Sequence, residues 1–227
     1  MKKLLLAATA FSALVVCAQA NDIGVRLLSG EDRIANVTPV DVRGIELTGV
    51  YDLMKVDQIG DAYVNIEGRF LKGSEHGLDI RDNRFSVDLG FKRNVVENGT
   101  LFVAPLALMY ESTELDSAFN VFNQKRWFYA PSIGYKHTLG DFALKADASY
   151  RYSLNEKATY ATLSHDVYGN SMSKGYDIGV EASYAFNKDL SANINWTRET
   201  LKVPGDGAYT EFTMSSHFLG AGINYKF

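Results

Sequence analysis

The stretch from Leu219 to Phe227 constrains this chain more than any other. Leu219, Ala221, Ile223, Tyr225 and Phe227 occupy every second position, with Gly220, Gly222, Asn224 and Lys226 between them. A period of two puts the first set on one face of a β-strand and the second on the other. One face is bulky, apolar and aromatic at its end; the other is small or polar. A helix would scatter both sets around its axis. The segment therefore reads as a strand with one apolar and one wet side.

The same alternation recurs along the chain and predicts about ten strands, with eight as the alternative count. They cover Asp22 to Ser29, Arg43 to Leu53, Ala62 to Leu71, Arg84 to Arg93 and Leu101 to Glu111. The second half supplies Trp127 to His137, Phe142 to Tyr152, Tyr176 to Phe186, Leu190 to Arg198 and Phe212 to Phe227. The cleanest is the fourth, with Phe85, Val87, Leu89 and Phe91 set against Ser86, Asp88, Gly90 and Lys92. The fifth is apolar on both phases. Pro105 and Pro131 fall inside neighbouring strands, where each removes a ladder donor and predicts a bulge.

Connections alternate in length. Tight turns are expected at Asn98-Gly99, Leu139-Gly140-Asp141 and Asn187-Lys188-Asp189, with a somewhat longer one at Met54 to Asp61. Between these lie longer polar segments: Gly30 to Val42, Lys72 to Asn83, Ser112 to Arg126, Ser153 to Gly175 and Glu199 to Glu211. Exposed aromatics such as Phe119, Phe122, Tyr160 and Tyr168 make the longer segments candidates for ligand contact.

The other end of the chain reads as an export signal. Lys2 and Lys3 precede the apolar run Leu4 to Val16, and Ala18-Gln19-Ala20 suits a cleavage site. The expected division is residues 1–20 as signal and 21–227 as one barrel domain. Cys17, the single cysteine, would leave with the signal, which excludes disulfides and thiolate chemistry. Losing Lys2 and Lys3 also leaves 21 basic against 27 acidic residues, a balance of −6 that disfavours nucleic acid. Tyr and Phe are abundant at 13 each while Pro numbers 4, as suits a chain made mostly of strands.

An exported bacterial chain of alternating strands that ends on an aromatic resembles the outer-membrane β-barrels. Its general build is similar to the OmpA-like and opacity-type small barrels. That resemblance implies an all-β fold, a single antiparallel transmembrane barrel with short periplasmic turns, long outer loops and both termini in the periplasm. It also implies that Leu219, Ala221, Ile223, Tyr225 and Phe227 are the signal read by the barrel-insertion machinery. The other implied partners are outer-membrane lipid and lipopolysaccharide, with an extracellular ligand at the loops as a further candidate.

Full charges at mid-strand lie on the polar phase: Glu67, Arg69, Asp88, Lys92, Lys145, Asp147, Arg151 and Glu181. In lipid only a charges-inside arrangement avoids ~2–4 kcal/mol per mid-membrane basic residue. A soluble barrel with an apolar lumen is the alternative placement. Both signs occur, often close on one strand, as in Glu67 with Arg69, Asp88 with Lys92 and Lys145 with Asp147. A salt-bridged plug is the first reading and a narrow solute or ion path the second.

No cofactor, metal or catalytic site is expected. Ser215 and His217 share a strand face, a pairing that faintly resembles the outer-membrane lipid A deacylases, with Glu211 the only acid in phase. His165-Asp166 offers a weaker likeness to omptin-type proteases. His76 and His137 lack metal-ligand spacing. The expected role is non-enzymatic, structural or surface-interacting; a pore and a lipid-modifying hydrolase are the alternatives.

Overall fold

A computed structural model describes residues 21–34, 39–75, 77–117, 121–160, 163–168, 172–204 and 211–227. The expected signal, His76 and Phe119 lie outside the described residues, as do the side chains of Phe122, Tyr160, His165, Asp166 and Tyr168. The strands are β1 (Asp22–Ile34), β2 (Val40–Val56), β3 (Gly60–Glu75), β4 (Leu78–Val96), β5 (Gly99–Ser117) and β6 (Val121–Tyr129). They continue as β7 (Ser132–Leu139), β8 (Phe142–Tyr160), β9 (Leu163–Tyr168), β10 (Lys174–Ala185), β11 (Leu190–Val203) and β12 (Phe212–Lys226).

All pairings are antiparallel, mostly between strands adjacent in sequence, and β12 pairs with β1 to close the ring. The first segment is therefore an integral stave. β6 and β7 both lie between β5 and β8 and form one stave interrupted at Ala130-Pro131. β9 pairs with β8 beyond the point where β10 ends. The closed barrel has ten staves.

The prolines act where expected. Opposite Gly90 the β4–β5 register slips between Leu89 and Phe91, beside Pro105. This bulge explains why β5 is apolar on both phases. Ala104 points inward before it, and Ala107 and Met109 point inward after it, so the inward set changes parity. Backbone bonding resumes around the break through Ala130 N–H to Ala107 O at 2.9 Å and Tyr150 N–H to Pro131 O at 3.1 Å. The hairpin at Asn98 differs by one residue from the expected turn. Its loop residues are Glu97 and Asn98, Asn98 takes φ +60°, and Gly99 already opens the next strand.

The strands are longer than the alternation alone predicts. The segments Lys72 to Asn83 and Ser112 to Arg126 are largely strand, as is much of Ser153 to Gly175. The reason lies in which residues face inward there. Along β4 the inward series is Ile80, Asp82, Arg84, Ser86, Asp88, Gly90 and Lys92, on one pleat phase throughout. Near the turns the inward residues are polar and Phe85, Val87 and Leu89 face out. Near the loops Ile80 is buried inside and Asp79 and Arg81 face out. β2 repeats this with Val40 and Val42 inside, Asp41 and Arg43 outside, and Ile45 outside lower down.

The barrel is thus polar inside an apolar belt at its turn end, while at its loop end a polar exterior surrounds apolar clusters and a few buried, hydrogen-bonded polar groups such as Gln124, Glu156 and Ser173. The belt includes Leu27, Leu106, Leu144, Ile178, Ile194 and Ile223, all well exposed. It spans about the length of a tilted membrane strand, ~9–11 residues. The inner apolar cap comprises two packed groups. One contains Met109, Phe128, Leu201, Val203 and Met214; the other contains Leu28, Val40, Val42, Leu71, Ile80 and Phe218.

This inversion has a measurable consequence. Ile194→Arg, in the belt at 64% exposure, should lower the stability of the bilayer-inserted protein by about 2–4 kcal/mol. Lys202→Ser, outward at the loop end, should be close to neutral, and Val42→Asp should destabilise from inside the cap. Urea titration followed by heat-modifiable gel migration measures all three. A neutral Ile194→Arg would mean that the belt does not face hydrocarbon.

Candidate functional site

The lumen holds the chain's densest chemistry. A cavity of about 860 Å³ runs up the barrel axis from the turn end, where Asp57, Gln58, Asn94 and Thr138 surround it. Its upper wall is made by Arg69, Arg84, Asp177, Glu199 and Phe218. Just above lies a void of only about 20 Å³, room for about one water molecule.

The separation is made by interlocked ion pairs. Glu199 on β11 accepts from Arg84 Nη1 at 2.7 Å and Nη2 at 2.6 Å, and from Arg69 through both of that residue's terminal nitrogens. Glu111 on β5 takes Arg84 at 3.2 Å, Arg126 at 3.1 Å and Arg151 at 3.1 Å. Asp82 pairs with Arg69 at 2.9 Å and accepts from Thr113 at 3.2 Å. Asp177 pairs with Arg151 at 2.7 Å. Four arginines meet four carboxylates drawn from strands all round the barrel, and Arg126 is fully buried.

These guanidiniums also touch the cap. Arg69 stacks 4.7 Å from the Phe218 ring centre, and Arg126 and Arg151 flank Phe128 at 5.8 and 5.7 Å. Such cation–π contacts strengthen as water is excluded. The charged layer and the apolar cap therefore share their boundary residues. Lower down, Arg26 bridges Glu46 at 2.5 Å, Glu181 and Asn193 at 3.1 Å.

The eight charges singled out in the sequence all take lumenal positions. Glu67, Arg69, Asp88, Lys92, Lys145, Asp147 and Glu181 line the cavity, and Arg151 lies at its closed end. Their partners mostly differ from the within-strand pairs expected. Lys145 does meet Asp147, at 3.2 Å. Arg69 reaches across to Asp82 and Glu199 instead of Glu67, and Lys92 binds Asp52 at 2.5 Å instead of Asp88. Asp88 accepts from Asn65 at 3.0 Å. Residues two apart on one strand stand ~6–7 Å apart at the backbone, whereas a narrow lumen brings opposite walls within side-chain reach.

Sequence reasoning missed Arg26, Glu46, Asp82, Arg84, Glu111, Arg126, Asp177 and Glu199 as members. Most sit at strand ends or in segments read as loops, because the apolar phase changes face there. The available signal was parity: each keeps the inward phase of its own strand.

The other residues of interest lie elsewhere. Leu219, Ile223, Tyr225 and Phe227 face outward, and Phe227 N–H bonds Asn21 O at 3.0 Å, tying the end of β12 to the start of β1. His217 Nε2 is 3.7 Å from Glu31 on β1, while Glu211 pairs with Lys202 at 2.9 Å. Among the described residues no His, Cys, Asp and Glu group could hold a metal ion.

No family model matches the chain, and no curated protein matches it in sequence. Solved structures do. The translocator domain of the autotransporter NalP from Neisseria meningitidis aligns over 100% of this chain and 97% of its own, at 10% identity and a TM-score of 0.50. The outer-membrane protease OmpT from Escherichia coli aligns over 92% of this chain and 98% of its own, at 12% identity and TM-score 0.44. Neisserial surface protein A aligns over 91% and 96%, at 10% identity and TM-score 0.43. The likeness to the NalP domain is one of fold. The chain has an outer-membrane β-barrel fold.

Removing one member of the buried layer strands its partners. Glu199→Ala should cost about 3–5 kcal/mol, since it leaves guanidiniums buried and uncompensated. Glu67→Gln, at a site with no ion pair within 4 Å among the described residues, should stay within about 0.5 kcal/mol. Unfolding midpoints of the refolded proteins check the contrast. Equal losses would show that the layer is not a distinct structural unit.

Proposed function

We propose that the protein is an integral protein of the bacterial outer membrane with a structural or surface-interaction role, its lumen closed to passage. Both termini lie on the periplasmic side and the long connections face outward. The observation that carries this reading is the double closure of the lumen, by the Arg–carboxylate layer and by the apolar cap directly above it. A solute entering from the turn end meets four paired arginines and then a packed interior of apolar clusters and hydrogen-bonded polar side chains. The outer apolar belt, the fold and the export-type leader support the location. In build we group the chain with the OmpA-like and opacity-type small barrels, ten staves replacing their usual eight.

A non-enzymatic role fits this arrangement, with no cofactor. The strand ending at Phe227 serves assembly through the barrel-insertion machinery, and an extracellular partner would meet the polar loop end. Ser215 and His217 are outward neighbours on β12 and serve as the control for a hydrolase: the mass of lipid A after expression should be unchanged.

A narrow pore is the second reading, favoured by the size and charge of the cavity below the layer. Conductance across a planar bilayer separates the two. Refolded protein should give no discrete steps at any of several salt concentrations while migrating as a folded, heat-modifiable barrel. Reproducible steps that change when Arg84 or Glu199 is substituted would overturn closure and make the lumen a path.

A further inference from the structure

The outer face changes character where the apolar belt ends on the loop side. The first outward residue beyond the belt is Arg43 above Ile45 on β2, Lys72 above Phe70 on β3 and Lys125 above Trp127 on β6. It is Lys174 above Tyr176 on β10, Arg198 above Trp196 on β11 and His217 above Leu219 on β12. Among the described residues no carboxylate occupies that level. β1, β4 and β5 contribute Ser29, Asn83 and Ser112.

Register then sets cation against cation. Arg43 stands directly opposite Lys72, and Lys72 opposite Arg81. Lys125 faces Lys157, Lys174 faces Lys202, and Arg198 faces His217. Like charges opposite one another on neighbouring strands are destabilising. The same chain pairs its lumenal arginines with carboxylates throughout. Outside, Arg43, Lys72, Lys125 and Arg198 have no acid within 4 Å among the described residues. Glu211 pairs with Lys202 at 2.9 Å, while Glu114 lies 3.8 Å from Arg81 and Glu31 3.7 Å from His217.

Among the described residues Arg43, Lys72, Lys125 and Arg198 are thus open to anions from outside the chain, and the layout says which kind. The cations follow the belt edge as a collar on three sides of the barrel: Arg43 and Lys72 on β2 and β3 with Arg81 one outward step higher on β4, Lys125 on β6, and Lys174, Arg198 and His217 on β10–β12. A protein partner would dock on one side; a lipid leaflet surrounds the barrel. The belt edge is also where headgroups begin. We propose that this collar binds the phosphate groups of lipid headgroups, with Arg43, Lys72 and Arg81 as its densest site. The inference rests on the membrane reading above, in which that leaflet carries phosphorylated glycolipid. Guanidiniums grip phosphate through paired N–H donors, and lysine adds a point charge.

The test uses the full protein refolded in neutral detergent micelles. The probes are bisphosphorylated lipid A, the same lipid enzymatically dephosphorylated, and inorganic phosphate. Trp127 and Trp196, the chain's two tryptophans, each lie two residues from a collar cation, so their fluorescence reports binding. Phosphorylated lipid A should shift the emission saturably and weaken with salt, while dephosphorylated lipid A should bind far more weakly. R43S/K72S/R81S should bind phosphorylated lipid A about a hundredfold less tightly, from the attraction of each basic residue near an anionic surface. A variant lacking Lys55 and Lys188, at the turn end, should bind as wild type does. Equal binding of the two lipids, unchanged affinity in the triple variant, or displacement by inorganic phosphate at matched concentration would each overturn the proposal. Heat-modifiable migration and bilayer insertion are measured alongside. A protein that inserts but ignores phosphate defeats this inference alone, whereas one that fails to insert defeats the membrane reading.

Discussion

A β-strand fixes which side chains face in and which face out, residue by residue, for as long as its pleat continues unbroken. What surrounds this barrel changes along that same length. Beside the belt the exterior must be apolar, and the inward positions are left to groups that tolerate a polar lumen. Beyond the belt the exterior is polar and wet, and the inward positions become the only place to build a core. The hydrophobic pattern therefore changes face while the backbone does not. Strand length, cap, charge layer and collar all follow from that one constraint.

The charge layer sits at the changeover. Buried guanidiniums and carboxylates are costly to desolvate, and a pair seldom outdoes well-packed apolar residues in stability alone. Here Glu199, Glu111 and Asp177 are each shared between arginines from different staves. Glu199 holds β3 and β4 to β11 across the lumen, and Glu111 ties β5 to β6 and β8 along the wall. Register shifts of one residue would turn these groups outward. Their pairing ties the stagger of distant strands together in a way that a featureless apolar core does not. The aromatic contacts of Phe128 and Phe218 bind that layer to the cap above it.

Much of the fold was legible because the belt imposes strict alternation. Phe85 to Phe91 and Leu219 to Phe227 announced strands, and Gly140 with Asn187 to Asp189 announced turns. Legibility failed where two rules crossed. At Pro105 the bulge moved the inward set from one parity to the other, so β5 looked apolar on both sides. At Val40, Ile80, Leu115 and Leu201 the apolar residues sit on the phase that is polar lower in the same strand. Period-two reading then lost its contrast, and strand was taken for loop. Ion-pair partners were hidden for another reason: Arg69 and Glu199 lie far apart in sequence and meet only because the barrel closes.

By itself, then, the sequence determined the class of structure: alternating strands, tight turns, and the inward phase of the mid-strand charges such as Glu67, Asp88 and Lys145. It does so because pleat and turn preferences are local and are written within a few residues. The tertiary structure alone decided that the lumen is a cavity closed at one end, which charges pair, and that cations line up on the exterior. Those depend on how ten staves are staggered around the ring. Stagger is a property of the closed circle, not of any one strand.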